Sequence, residues 1–162
     1  MKKLFLLAAT ILFTSAPIFA TDNIDTAKRF IRALEAGDMA IVAGLIGKDG
    51  TFEDPTFGAS HKGRDTLLRI YEGYRGGGTT HDLFGYVTNA YESSETVVLT
   101  YMVYAAVDLV AGGKAADRLP LMGQIIRVIG FKDGKIIRHT DLANYSRILA
   151  TIAAARKARA SQ

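Results

Sequence analysis

The second half of the chain is almost continuous strand-forming sequence, and that limits the fold more than any other feature. Phe84 to Tyr91, Thr96 to Val107, Leu119 to Lys132 and Lys135 to Tyr145 are runs of β-branched and aromatic residues, types that suit a pleated, half-buried surface. Asp133-Gly134 separates the last two runs and is a tight hairpin signal, because both residues tolerate positive φ. Ala111-Gly112-Gly113-Lys114 marks a second, looser hairpin. Strands of this length need an apolar layer against one face, and the first half of the chain supplies it.

That first half reads as three helices. Thr21-Asp22 looks like a helix start, followed by Ile24, Ala27, Phe30, Ile31 and Leu34 at helical spacing. Gly37 stops this helix and Asp38 caps a short second one, with Ile41, Val42, Leu45 and Ile46 as its buried side. Gly47 to Gly50 reads as a turn, and Thr51 to Asp54 as a short strand ended by Pro55, which has no N–H for a ladder. Residues 56–62 read as a loop. Gly63-Arg64-Asp65 opens a third helix carrying Leu67, Leu68, Ile70 and Tyr71, and Gly76-Gly77-Gly78 breaks it. No Lys-Ser/Thr follows those glycines, so they do not read as a phosphate cradle. Tyr145 to Ala158 closes the chain as an alanine-rich helix. Helices followed by a strand meander predict an α+β domain whose sheet bends around the helices.

Residues 1–20 read as an export signal rather than as fold. Lys2 and Lys3 precede an apolar run from Leu4 to Phe13, and Phe19-Ala20 stands before polar Thr21-Asp22. Ile18 occupies the position where a small residue is preferred; cleavage after Ala20 is still the expected site, and a retained anchor is the alternative. The run is short for a bilayer span, so the expectation is a periplasmic or secreted domain of residues 21–162 with no stable membrane insertion. Two of the 20 basic side chains are Lys2 and Lys3, so cleavage lowers the net charge from +4 to +2. That is too weak for a nucleic-acid argument, and no basic stripe with interleaved aromatics is present. Arg156, Lys157 and Arg159 read as a solvated helix end. With no cysteine, disulfides and thiolate chemistry are excluded. Three scattered histidines without ligand spacing predict no metal, and no cofactor motif is visible.

Several local strings resemble the nuclear-transport-factor-2-like and SnoaL-like superfamily, which includes the ketosteroid isomerases. These are Leu34-Glu35-Ala36-Gly37-Asp38, Thr51-Phe52-Glu53-Asp54-Pro55, His61-Lys62-Gly63-Arg64-Asp65, and Phe131 to Ile136 followed by His139 and Asp141. The resemblance implies a curved mixed or antiparallel sheet wrapped around the helices as a cone-shaped pocket. It implies an apolar small-molecule ligand and a homodimer formed through the convex face of the sheet. Asp54 matches the isomerase base. The isomerase tyrosine aligns with Phe30 and its neutral aspartic acid with Arg127, so that oxyanion arrangement is not carried over. The arginine and second aspartate of limonene-epoxide hydrolases would fall near Met102 and Tyr104, so that set is not carried over either. Asp141 and His139 match the carboxylate and histidine of SnoaL-like cyclases best.

Strand alternation puts Ile137, His139 and Asp141 on one face, and Met102 with Tyr104 on one face of the central strand. If all face inward, Asp54, His139, Asp141 and Tyr104 form the catalytic candidates. Phe30, Phe52, Tyr71, Met102 and Arg127 then line the pocket. A desolvated carboxylate beside a histidine suits proton transfer, and a tyrosine hydroxyl suits an enolate-like oxygen. The residues allow plainer roles: Asp54 capping a turn, His139 as a satisfied interior histidine, Asp141 paired with Arg127 or Arg138, Tyr101 and Tyr104 as sheet residues, and Phe30 with Met102 as core. His61 and His81 read as surface loop residues. A cofactor-free isomerase, cyclase or dehydratase, a non-catalytic binding protein and a homodimeric assembly module are all compatible with this sequence.

Overall fold

The computed structural model describes residues 22–76, 80–110 and 113–161. The export signal, Gly77-Gly78 and Ala111-Gly112 lie outside the described residues. Helix α1 (Asn23–Ala36) starts where the Asp22 carboxylate accepts the Ile24 N–H at 2.9 Å. It ends at Gly37, whose φ of 72° closes the last turn. Asp38 then caps α2 (Met39–Leu45) through the Ile41 N–H at 3.0 Å. The apolar stripe of α1 buries Ala27, Phe30 and Ile31 completely or nearly so.

The remaining elements are β1 (Ile46–Asp54), β2 (Ala59–Lys62), α3 (Arg64–Gly76), β3 (Thr80–Ser93), β4 (Thr96–Asp108), β5 (Arg118–Lys132), β6 (Lys135–Ala143) and α4 (Tyr145–Ala160). One six-stranded sheet runs β2-β1-β6-β5-β4-β3. Among the described residues only the β1–β6 pair is parallel, so the sheet is mixed. Helices α1, α2 and α3 fill its concave side, joined by the inward residues of β1, β4, β5 and β6. The α+β cone architecture expected from the sequence is the one observed.

The Asp133-Gly134 hairpin forms with φ of 50° and 70° at the two residues. Two loop readings are corrected. Gly47 to Gly50 lies within β1, where the register with β6 jumps between Ile46 and Thr51. The glycine there answers a bulge: a Cβ on Gly50 would stand 2.7 Å from Ile46 Cγ2. Residues 59–62 form β2, paired with β1, which puts His61 opposite Phe52. His61 is therefore a half-buried sheet residue stacked on the Phe52 ring at 6.4 Å. His81 lies on β3.

The phase of two strands also differs from expectation. On β4 the buried apolar residues are Val97, Leu99 and Tyr101. Alternation then carries Met102 and Tyr104 to the convex face. Both rows of β4 are apolar, so composition could not choose between them. On β6 a bulge opposite Gly130 and Phe131 puts Ile136 inward and Ile137 outward, with exposures of 2% and 38%. Ile137 therefore does not share the face of His139 and Asp141.

Candidate functional site

Beyond the core, the concave face opens into a cavity of about 740 Å³. Tyr101, Val103, Ala105 and Val107 of β4 and Leu121, Gly123, Ile125 and Arg127 of β5 form one wall. Tyr145, Ile148 and Ile152 of α4 form the opposite one. Helix α4 can lie this close because Gly123 has no side chain: a Cβ there would meet Ile148 Cδ1 at 2.9 Å. The cations of α4 reach the end of β4 and the turn that follows it. Arg156 donates to the Asp108 carbonyl at 3.2 Å, and Arg159 pairs with Asp117. The C-terminal basic cluster is thus a tether for the helix as well as a solvated end.

A line of hydrogen bonds runs through the polar corner. Tyr71 on α3 reaches His139 Nδ1 at 2.9 Å. His139 Nε2 reaches Asp141 Oδ1 at 3.0 Å. Arg127 Nε stands 3.2 Å from the same oxygen. Tyr71, His139 and Asp141 are 4%, 2% and 9% exposed, so this line is dry and each bond counts for more than it would in water. The hydrogen-bond partners assign the tautomer. Nε2–H donates to the carboxylate, and Nδ1 accepts from the Tyr71 hydroxyl. Phe30 supports the ring edge-on from behind at 5.2 Å. The Arg127 guanidinium lies over the Tyr101 ring at 4.5 Å, a contact that fixes its orientation.

Burial pushes the Asp141 carboxyl up, but His139 and Arg127 outweigh it, and the group titrates below the ordinary aspartate value. Asp54 also lines the cavity and is 4% exposed. Its Oδ1 accepts the backbone N–H groups of Thr56 and Phe57 at 3.0 and 3.4 Å. The turn-capping role read for it is therefore present in the structure.

Of the residues singled out, Asp54, His139, Asp141, Phe52, Tyr71 and Arg127 all line the cavity. Phe30 is fully buried behind His139, in the core rather than on the cavity wall. Tyr104 and Met102 are corrected: neither faces the cavity. Tyr104 stacks on Phe84 at 5.2 Å on the convex side and bonds to Tyr86, which raises its pKa. The tyrosine that does meet the histidine is Tyr71, read from sequence only as wall.

The reading missed Glu35 and the cavity role of Tyr101. Glu35 sits four residues after Ile31 and so continues the buried stripe of α1. A carboxylate on an apolar stripe was the available signal. Burial raises its pKa, only partly offset by Arg127, the Gly85 N–H and Arg32. A raised acid binds its proton more tightly in the folded chain than in the unfolded one. Stability therefore falls as pH rises from the ordinary glutamate value of 4.5 through the folded value. Glu35→Gln removes this loss. Its melting temperature relative to the natural protein should rise between pH 4 and 7 in a thermal melt series, whereas a constant difference contradicts the buried carboxyl.

A family model for the SnoaL-like domain matches residues 27–139. No curated protein matches the chain. Solved structures do. A protein with a ketosteroid isomerase-like fold from Catenulispora acidiphila, crystallised with trimethylamine, is 17% identical, with a TM-score of 0.64 over 78% of this chain and 90% of that one. A nuclear-transport-factor-2-like protein of unknown function from Burkholderia pseudomallei is 14% identical, with a TM-score of 0.67 over 82% and 98%. A limonene-epoxide-hydrolase-like epoxide hydrolase from Mycobacterium tuberculosis is 15% identical, with a TM-score of 0.64 over 85% and 94%. At these identities the structures speak to fold alone. The matched family model, the mixed cone-shaped sheet and the helices packed inside it together establish that this chain belongs to the SnoaL-like domain family.

Proposed function

We propose that the chain binds an apolar small carbonyl compound in its cavity and moves a proton on it without a cofactor, as an isomerase, cyclase or dehydratase does. The observation that carries this reading is the buried line Tyr71–His139–Asp141–Arg127 at the cavity wall. A substrate C–H next to a carbonyl gives its proton to the Tyr71 oxygen while the phenol proton passes to His139 Nδ1. The imidazolium so formed faces the Asp141 carboxylate, which Arg127 keeps ionised and in place. Return of the proton to a different substrate atom completes an isomerisation. Its return to a leaving hydroxyl completes a dehydration. Tyr71 rather than Tyr104 is the tyrosine of this reading, in a proton-relay role, and Asp54 serves the adjoining turn.

A thermal-shift screen of steroids, aromatic polyketides, terpenoids and their epoxides finds the ligand class. With a converted hit in hand, Tyr71→Phe and Asp141→Asn should each lower kcat about 10²–10⁴-fold while ligand-dependent stabilisation persists. Turnover unchanged in both variants contradicts the reading. The second reading is a binding protein without chemistry. One observation favours it: Asp54 and Asp141, the two carboxylates considered as bases, are engaged by backbone amides and by a charged pair. Saturable stabilisation with no conversion of any hit decides for it.

We also propose that two copies pair through the convex face. Phe84, Tyr86 and Met122 are 57%, 54% and 62% exposed there, and Phe84, Tyr104 and Met122 lie side by side across β3, β4 and β5. A surface of this kind is an association site. Light scattering at micromolar concentration should give twice the chain mass for the natural protein and a single chain for Met122→Lys. A monomeric natural protein rules the pairing out.

A further inference from the structure

The cavity has a second charged end. Arg118, the first residue of β5, lines it as Arg127 does. The two stand about 30 Å apart along the strand, at about 3.3 Å per residue. Aliphatic side chains line the space between, among them Val107 and Leu121 on the sheet and Ile148 and Ile152 on α4.

Arg118 is anchored. It is the ladder partner of Asp108, and its Nε donates to Asp108 Oδ1 at 3.3 Å. The Asp108 carboxylate is buried, whereas the Arg118 side chain is 30% exposed. Among the described residues, the two Nη groups of Arg118 meet no acceptor. A guanidinium fixed through Nε leaves its terminal N–H fork available to a ligand.

The charges around it do not cancel. Arg118 pairs with Asp108 and Arg159 with Asp117. Arg156 donates to the Asp108 carbonyl at 3.2 Å, an acceptor without formal charge. The Asp117 carbonyl accepts the Leu109 N–H at 3.0 Å, so these groups form one cluster at this end of the cavity. Three arginines meet two carboxylates there, an excess of one positive charge.

We infer that Arg118 is a second recognition point, which takes a carboxylate at the far end of an elongated apolar ligand whose other end lies at the Tyr71–His139–Asp141–Arg127 corner. The carboxylate accepts from the two Nη groups side by side, and its single charge matches the excess. A cation is repelled there, and a neutral hydroxyl leaves the excess charge unmatched. The inference rests on the cavity's taking a ligand, as the proposed function does, but not on any proton transfer at Tyr71.

The test is a fluorescence titration at pH 7.5 with 11-(dansylamino)undecanoic acid and its methyl ester. These probes share one long apolar skeleton and differ in the charge at its end. The natural protein should bind the acid about tenfold more tightly, the worth of one hydrogen-bonded charge. Arg118→Met should bring the two affinities to within about twofold. The double variant Asp108→Asn with Arg118→Met should do the same. It removes the buried carboxylate together with its partner, so the fold is spared an unpaired charge and the net charge of the cluster is kept. Equal binding of the two probes by the natural protein overturns the inference and leaves the cavity reading standing, with the Arg118–Asp108 pair only joining two strand ends. A preference that survives both variants overturns it too, and loss of that preference in Arg127→Gln instead would place the carboxylate at the polar corner. Failure of both probes to bind at their solubility limit overturns it together with the cavity reading.

Discussion

The site depends on one buried imidazole. His139 is 2% exposed, and both its nitrogens are bonded, one to Tyr71 and one to Asp141. A buried polar ring without partners costs several kcal/mol in a dry interior; with both partners it ties α3 to β6. Helix α3 supplies Tyr71 and β6 supplies the histidine and the carboxylate. Rings from α1 and β1 enclose the imidazole: Phe30 and Phe52 stand at 5.2 and 5.1 Å from its centroid. The same contacts that anchor α3 to the sheet therefore orient the acid-base line.

Charge at the cavity is arranged in sequence around Arg127. Its guanidinium acts on both Asp141, held ionised by this cation and by His139, and Glu35, whose carboxyl burial favours the neutral form. One arginine thus sits among two carboxyls with opposite tendencies, and that divergence comes from environment rather than residue type. Tyr101 fixes the cation from below. The apolar remainder of the cavity, from Val103 to Ile152, keeps the dielectric low and so preserves the contrast.

The architecture was legible because its signals are local and redundant. Helical spacing in α1, the Gly37-Asp38 stop and cap, and the Asp133-Gly134 hairpin each have one cheap conformation. His139 and Asp141 stand two residues apart on a strand, so their common face follows from the pleat. What could not be read was phase. Both rows of β4 are apolar, and nothing local tells Tyr101 from Tyr104; the ladder with β3 and β5 decides it. The bulge at Ile137 likewise exists only because Gly130 and Phe131 of β5 shift against β6. Glu35 was passed over because its string, Leu34 to Asp38, reads first as a turn, and its burial depends on Gly85, fifty residues later in the chain. The partner of His139 was missed for the same reason: the α3–β6 packing that brings Tyr71 to it is tertiary.

The measurement that bears most directly on this account is the tautomer of His139, read from long-range proton–nitrogen correlation NMR on the nitrogen-15-labelled protein at pH 8. The hydrogen-bond geometry predicts a proton on Nε2, where it donates to Asp141, and an Nδ1 that accepts from Tyr71 and whose resonance moves when Tyr71 is replaced by Phe. A proton on Nδ1 instead, or a ring unaffected by Tyr71→Phe, would mean that the hydrogen-bonded line does not exist, and the acid-base reading of the cavity would go with it.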